Sequence, residues 1–193
     1  MTRCKVLCGV AVVLSAMVTV ACAEDKVSVG VTADVFSKYV WRGQNIVDDW
    51  VLQPGASVGY KGFTGSVWGN MDLAGEVVGG GRFNEIDLAL DYSNTLPGVD
   101  VLSYSLGVVH YMFPNTGAAA TSEVYAGLSL EVPLSPAVRW YYDFDEIEGS
   151  YLQFSLGHTI EKIWAWRDDF YCGVQLGASL GYGTGATTRA ISA

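Results

Sequence analysis

Alternation of apolar and polar residues constrains this chain more than any other feature. In FNEIDLALDY, residues 83–92, Ile86 and Leu88 fall on one parity and Glu85 and Asp87 on the other. A period of two places successive side chains on opposite faces of a β-strand. The pattern recurs in eight further segments: 27–35, 52–60, 63–73, 101–109, 122–132, 138–146, 151–159 and 170–182. Helical periodicity is not convincing anywhere after residue 23, so the sequence predicts an all-β protein of nine strands.

The first 23 residues have the three parts of a secretory signal peptide. Arg3 and Lys5 precede an uninterrupted apolar stretch, and the small residues of ACA follow, ending at Ala23. The apolar stretch is short for a transmembrane helix, which needs about 20 residues. We expect export through the Sec pathway, cleavage after Ala23 and one domain over residues 24–193. An uncleaved anchor and a lipoprotein attached through Cys22 are the alternatives.

Charge and cysteine content exclude several classes of function. The chain has 11 basic and 20 acidic residues, and without Arg3 and Lys5 nine basic residues are left, which gives a net charge of −11. Nucleic acid is therefore not expected as a partner, because phosphate binding needs clustered Lys and Arg. Cleavage would also leave Cys172 as the one cysteine, so no intrachain disulfide is expected.

The alternation alone fits two folds, a soluble barrel with its apolar face inside or a membrane barrel with that face in lipid. Strands of about nine to eleven residues suit a tilted bilayer crossing, and a polar face rich in Gly, Ser and carboxylates would be costly to bury in a dry core. Aromatic residues also cluster near strand ends, as at bilayer interfaces: Tyr39, Trp41, Trp50, Tyr60, Phe63, Tyr111, Phe113, Trp164 and Trp166. The sequence thus predicts an antiparallel up-and-down transmembrane β-barrel.

The connections between strands partly follow the same architecture. YKGF and PLSP are tight, whereas RGQNIVDDW, AGEVVGGGR and PNTGAAAT are longer. Short turns at one end and longer loops at the other are typical of outer-membrane barrels. Three connections do not fit: NTLPGVD and EKIWAWRDD are long at the short end, and DEIEGS is short at the long end.

The segments DVFSKYVWRGQN, LQPGASVGYKGF, VWGNMDL, FNEIDLALDYS, HYMFPNT, SEVYAGLSL and LSPAVRWYYDFDE resemble the TorF-type porins, small exported bacterial proteins. The resemblance covers most of residues 27–182, and SKYVWRG is its most specific part. It implies an outer-membrane barrel of a Gram-negative bacterium, in contact with outer-membrane lipid and inserted by the barrel-assembly machinery. It implies no catalytic residues.

The end of the sequence departs from that pattern. Family members are longer, and the chain ends in GATTRAISA without a terminal aromatic strand. Nine strands is an odd count, whereas single-chain bacterial barrels have an even one. We therefore expect a domain that is incomplete at its C-terminal end, unless one strand is miscounted.

The inward parity supplies the candidate functional residues. The predicted lumen-lining side chains are those of Asp34, Glu85, Asp87, Asp91, Glu123, Glu131, Arg139, Asp143 and Asp145. Rings of carboxylates favour cations, so the sequence predicts a porin-like channel for small, cationic solutes. The alternatives are that the acids only keep a narrow interior polar, in a non-conducting structural or adhesive barrel, or that the protein is an outer-membrane enzyme.

Enzymatic and metal chemistry find little support in the residues. A hydrolytic site needs a His beside Ser, Asp or Glu, and both His110 and His158 fall on the apolar parity. Asp143 and Asp145 share a face and could hold a hard cation, but two acids on a strand more often meet solvent. We expect no catalytic residues, no metal and no cofactor. WRGQNI is the most distinctive loop, with no ligand indicated.

Overall fold

The computed structural model describes residues 14–20, 27–167 and 170–184. Twelve β-strands lie within them: β1 (Leu14–Val20), β2 (Ser28–Phe36), β3 (Tyr39–Trp41), β4 (Gln44–Val47), β5 (Val51–Tyr60), β6 (Phe63–Asp72), β7 (Arg82–Leu96), β8 (Val99–Met112), β9 (Thr121–Leu130), β10 (Ala137–Asp143), β11 (Ser150–Arg167) and β12 (Phe170–Gly183). The described residues contain no helix that is long and apolar enough to cross a membrane.

Ten of the strands form one antiparallel sheet in the order β1-β2-β5-β6-β7-β8-β9-β10-β11-β12. Each strand pairs with the one that precedes it in the sheet and the one that follows, so the chain runs up and down as a meander. β3 and β4 form a separate hairpin between β2 and β5. The predicted all-β, up-and-down antiparallel organisation is therefore confirmed. Among the described strands no pairing joins β12 to β1, and the sheet has two edges.

The strand count differs from the expectation at the N-terminus. All nine predicted strands are present, and β1 is a tenth member of the sheet, pairing with β2 from Leu14–Val35 to Val20–Val29. β1 falls inside the predicted signal peptide, whose other residues, 1–13 and 21–23, lie outside the described part. A chain cleaved after Ala23 would lose β1 and leave β2 at the edge.

Longer strands account for two of the three connections that did not fit. β7 and β8 continue through NTLPGVD, so that Pro97 and Gly98 alone separate them, and β11 extends to Arg167. Connections at one end of the sheet are therefore 61–62, 97–98, 131–136 and 168–169, and those at the other are 37–50, 73–81, 113–120 and 144–149. We call the second end the loop end. Short and long connections alternate except that 131–136 and 144–149, at opposite ends, are equally long, so DEIEGS still does not fit the expectation.

The two faces of the sheet are as the alternation predicts. On one face Phe63, Tyr92, Leu106, Ala126, Trp140, Leu152 and Tyr182 are cross-strand neighbours in one row. On the other, Asp91, Gly107, Tyr125, Tyr141 and Tyr151 form a parallel row. We call these the apolar face and the polar face.

Burial is inverted relative to a water-soluble protein. Leu90, Leu106 and Phe154, on the apolar face, are 52%, 53% and 47% exposed. The fully buried side chains of the described residues are instead mostly polar, with Asn70, Asp72, Glu123 and Asp143 beside Val47 and Val51. Soluble domains rarely bury carboxylates or expose long apolar side chains in continuous rows. The acids therefore occupy the covered side of this sheet.

The β3–β4 hairpin covers part of the polar face. Tyr39, Val47 and Val51 form its small apolar core, against which Trp41 and Trp68 pack. Its two-residue turn places Arg42 at φ 48° and Gly43 at φ 79°. Both angles are left-handed, as in the type I′ turns that connect tight hairpins. The expectation that RGQNIVDDW is a loop is therefore wrong for residues 44–47, which are strand β4.

The hairpin also changes the interpretation of the aromatic residues. Tyr39 and Tyr111 are each 7% exposed, and Trp41 lies edge-on to Tyr111 with ring centroids 6.2 Å apart. These three aromatics pack on the covered side, so their assignment to an interfacial belt is wrong. Tyr60 and Phe63 at the short-turn end, and Trp50 and Trp164, are exposed as expected. The side chain of Trp166 lies outside the described part.

Candidate functional site

The tip of the hairpin is fixed by an ion pair on the polar face. Arg42 at the turn donates from Nη1 and Nη2 to the two carboxylate oxygens of Glu123 on β9, both at 2.6 Å. The Arg42 side chain is 7% exposed and that of Glu123 is 2% exposed. The Tyr111 hydroxyl on β8 donates to the same carboxylate at 2.9 Å. Bidentate charge-assisted bonds of this kind are among the strongest side-chain contacts in proteins.

Aromatic rings surround the same guanidinium. The Cζ atom of Arg42 lies 4.2 Å from the ring centroid of Trp41, 4.4 Å from that of Tyr141 and 4.5 Å from that of Tyr151. A cation within about 6 Å of a ring centroid is attracted by the negative face of the ring. Strands β8 to β11 thus converge on one residue of the hairpin.

The electrostatic environment keeps Arg42 charged. Burial alone would lower the pKa of Arg42, but the hydrogen bonds and the negative charge of Glu123 outweigh that effect, and the pKa is raised. In the same segment, the pKa of the exposed Asp48 is lowered, because Lys38 and Asn45 donate hydrogen bonds to its carboxylate. Lys38 and Asp48 are about half exposed, so this second ion pair is screened by solvent.

A row of amides continues the covered polar surface towards β5. Gln53 donates to Asn70 at 2.8 Å, and Asn70 donates to Asn84 at 2.7 Å. Asn84 and Glu85 are neighbours in β7, yet both are buried. The register explains this, because a β-bulge falls between the pairs Asn70–Glu85 and Met71–Phe83. A bulge inserts one residue and re-aims a side chain, so the alternation did not predict that Asn84 lies on the polar face.

Two buried aspartates organise loops at the loop end. Asp143 accepts a hydrogen bond from the Thr121 hydroxyl at 2.6 Å and from the backbone N–H groups of Asp145 and Ile147 at 3.0 and 3.1 Å. Asp72 accepts from the backbone of Gly75 and Val77, each at 2.7 Å. Both carboxylates therefore fix the start of a connection, which gives Asp143 a structural role in place of the cation site considered from DFDE.

The nine predicted lumen-lining residues occupy three kinds of position. Glu85, Glu123 and Asp143 are buried on the polar face, and Asp34, Asp87 and Asp91 are half-buried there. Asp34 lies opposite Gln53 and Asp91 accepts from the Tyr125 hydroxyl at 2.5 Å. The remaining three are exposed: Arg139 lies 5.0 Å from the Tyr125 ring, and Glu131 and Asp145 lie just past the ends of β9 and β10.

Sequence reasoning missed Arg42, which pairs with Glu123 and contacts three aromatic rings. Arg42 was not among the candidates, because its hairpin was interpreted as a loop and its partner Glu123 is 81 residues away. The segment YVWRGQNIV has only part of a type I′ signature, because such turns favour Asn-Gly, Asp-Gly or Gly-Gly and Arg stands here before the glycine. Even with Arg42 included, negative charge is in excess on the polar face. One carboxylate oxygen of Asp87 is buried there without a hydrogen-bond partner among the described residues.

A cavity of about 400 Å³ opens at the loop end beside the ion pair. Its floor includes Trp41, Tyr111, Glu85 and Glu123, and its rim includes parts of the connections 113–120 and 144–149. We call this cavity the vestibule. Lining residues combine aromatic and aliphatic side chains with buried carboxylates, the composition of many small-molecule sites.

The two histidines lie apart from the carboxylates of the polar face. His110 lies opposite Leu88, and its Nδ1 is 3.0 Å from the Ser122 hydroxyl, whereas His158 lies opposite Leu176. Both histidines are on the apolar face, away from the acids, as predicted. Within the described part of the chain, no three His, Cys, Asp or Glu side chains are grouped closely enough to hold a metal ion.

Comparison with known proteins gives a family. The model described as "Bacterial protein of unknown function (Gcw_chp)" matches residues 21–187. The chain belongs to this family. No curated protein and no solved structure matches the chain.

Proposed function

We propose that this protein is a porin-like β-barrel of the bacterial outer membrane that admits small solutes and prefers cations. The inverted burial carries the proposal. Exposed large hydrophobic side chains come from β2 and from every strand from β5 to β12, while carboxylates lie on the covered face. Lipid is the solvent in which such a surface is stable. The predicted signal peptide and the resemblance to TorF-type porins support the same location.

A membrane barrel requires that the two edges of the sheet are closed. An unpaired strand edge in lipid costs several kcal/mol per unsatisfied backbone group. Cleavage after Ala23 would leave nine strands, β2 and β5 to β12, in meander order with short turns at one end and longer connections at the other, and such a sheet closes when β2 and β12 pair. We therefore expect a compact, detergent-resistant form in which β12 is paired on both sides.

The preference for cations follows from charge on the polar face. Seven carboxylates of the described residues are buried or half-buried there: Asp34, Asp72, Glu85, Asp87, Asp91, Glu123 and Asp143. Among the described residues, Arg42 and Arg139 contact the same face, and the exposed Arg82 lies opposite Asp72. An interior with this excess of negative charge attracts cations and repels anions.

The hairpin favours a second candidate, a barrel that does not conduct. It lies across the polar face and is held at its tip by a buried ion pair, so it narrows any passage between the two ends. A barrel of nine or ten strands has a small interior even without the hairpin. A structural or adhesive role would then depend on the loops.

Electrophysiology on the folded protein tests the proposal. The purified outer-membrane protein is first compared boiled and unboiled by gel mobility, since a closed barrel migrates faster before boiling. It is then inserted into planar bilayers with a KCl gradient, and the reversal potential is measured. We expect cation selectivity, reduced by Asp91→Asn and unchanged by Asp100→Asn, which removes the same charge at an exposed position at the short-turn end.

Each outcome is informative. Anion selectivity, or equal effects of Asp91→Asn and Asp100→Asn, would refute the acidic conduit. A heat-modifiable band without conductance would support the structural barrel. Absence of a mobility shift together with recovery from the periplasm would refute the membrane barrel itself.

A further inference from the structure

The apolar walls of the vestibule are not explained by the proposed passage, since a passage for inorganic ions needs no apolar walls. Trp41, Tyr111 and Phe113 contribute aromatic surface, and Ile46 and Ile147 contribute aliphatic surface. A volume of about 400 Å³ is within the range of ligand pockets. The walls therefore suit a small molecule with an apolar body.

The charged side chains that line the vestibule are acidic, and the guanidinium of Arg42 beside its floor is paired with Glu123. Glu85, Glu123, Asp143 and Glu146 line it, and no Lys, Arg or His is among its described lining residues. Glu85 is 6% exposed, and the described residues provide its carboxylate with one side-chain donor, the Tyr39 hydroxyl. A carboxylate can accept about four hydrogen bonds. Glu85 thus has acceptor capacity inside the cavity for a donor that the described residues do not supply.

The floor of the vestibule already holds a cation of the chain itself. The guanidinium of Arg42 stacks on Trp41 and pairs with Glu123, and both of these residues line the cavity. An aromatic face combined with a desolvated carboxylate is the chemistry that recognises organic cations. The same two kinds of group line the open part of the cavity. Tyr111 and Phe113 provide aromatic surface, and Glu85 provides a carboxylate.

We propose that the vestibule binds a small organic cation with an apolar body, of the arylalkylammonium class. The ammonium group donates to Glu85, and the apolar body packs against Tyr111, Phe113 and Ile147. The inference deepens the proposed function and rests on it, because it names the class of solute that an acidic interior with a narrow passage would take from the loop end.

Binding to the folded protein tests the inference. The probe is phenethylammonium, with neutral 2-phenylethanol and anionic 3-phenylpropionate as matched ligands, measured by calorimetry on the protein in zwitterionic nanodiscs. Empty nanodiscs correct for partition into lipid. We expect saturable binding of phenethylammonium alone, weakened about tenfold by Glu85→Gln, because a hydrogen bond to a charged group is replaced by a neutral one. Asp100→Asn, which removes an exposed charge at the opposite end, serves as the control and should bind normally.

A second variant keeps the test decisive if Glu85→Gln does not fold. Phe113→Leu lies in a connection and preserves apolar volume, and it should weaken the cation about threefold through loss of one ring face. Equal affinity for 2-phenylethanol, or no saturation up to about 10 mM probe, would overturn the inference. Cation-selective conductance without probe binding would refute the vestibule site and leave the proposed function standing. Probe binding without conductance would support the vestibule site and refute the proposed passage.

Discussion

Replacement of Arg42 by Met is the most informative single perturbation of this fold. It removes two hydrogen bonds of 2.6 Å and three cation–ring contacts of 4.2 to 4.5 Å, and it leaves the buried Glu123 with Tyr111 as a donor. Breaking a buried ion pair by removing one partner costs about 3–5 kcal/mol, since the remaining charge stays desolvated. We expect a loss of that size in the free energy of unfolding.

The hairpin also contains its own control. Lys38 and Asp48 form an ion pair that is about half exposed on each side. Exposed pairs contribute about 0–1 kcal/mol, so Lys38→Met should be nearly neutral although it removes the same charge from the same segment. The comparison separates burial of the pair from any general effect of charge on the hairpin.

Urea unfolding of the protein refolded into lipid vesicles, followed by tryptophan fluorescence, measures these energies. The double variant Arg42→Met with Glu123→Gln completes a thermodynamic cycle. Because it leaves no buried charge behind, we expect it to be more stable than Arg42→Met alone by at least about 1.5 kcal/mol. A loss of unfolding free energy below about 1 kcal/mol for Arg42→Met, equal to that for Lys38→Met, would refute the idea that the buried ion pair holds the hairpin in place.

Two further substitutions test the faces of the sheet. Leu90→Arg, on the apolar face, should lower the free energy of unfolding by about 2–4 kcal/mol if that face meets lipid, but by no more than about 0.5 kcal/mol if it meets water. Leu73→Arg, in the connection 73–81, is the exposed control. Urea unfolding in vesicles measures both variants. Gly107→Ala should cost about 1–3 kcal/mol, because a Cβ at this position overlaps the ring of Tyr125 and displaces its hydrogen bond to Asp91; retention of full stability would show that the ring is not held there.

The sheet could be predicted because its signal is local. A period of two over nine or more residues fixes both the type of element and the face of each side chain, and Glu85, Asp87 and Asp91 accordingly lie on the polar face. Strand ends were less predictable. β7 continues to Leu96 and β8 begins at Val99, both within the segment NTLPGVD. The polar residues of this segment pair across the two strands, although such residues are equally common in solvent-exposed turns.

The hairpin could not be predicted by the same means. β3 has three residues and β4 has four, too few to show a period. Its position depends on Arg42 meeting Glu123, a contact between distant parts of the chain that no local pattern encodes. For the same reason Tyr39 and Tyr111 were assigned to an interfacial belt, since an aromatic near a strand end has the same sequence signature whether it faces lipid or the covered side.

The charge on the polar face connects the hairpin to the proposed passage. Arg42 neutralises Glu123, but Glu85 has the Tyr39 hydroxyl as its partner and one oxygen of Asp87 has no partner among the described residues. Neutral donors do not cancel a carboxylate charge, and an uncompensated charge in a dry interior is too costly to keep. Carboxylates without a compensating cation are therefore either protonated or reached by water or cations beside the hairpin. In the proposed barrel, a hairpin that is held at Arg42 and bordered by such carboxylates would narrow the interior and still leave polar groups for water and small cations to contact.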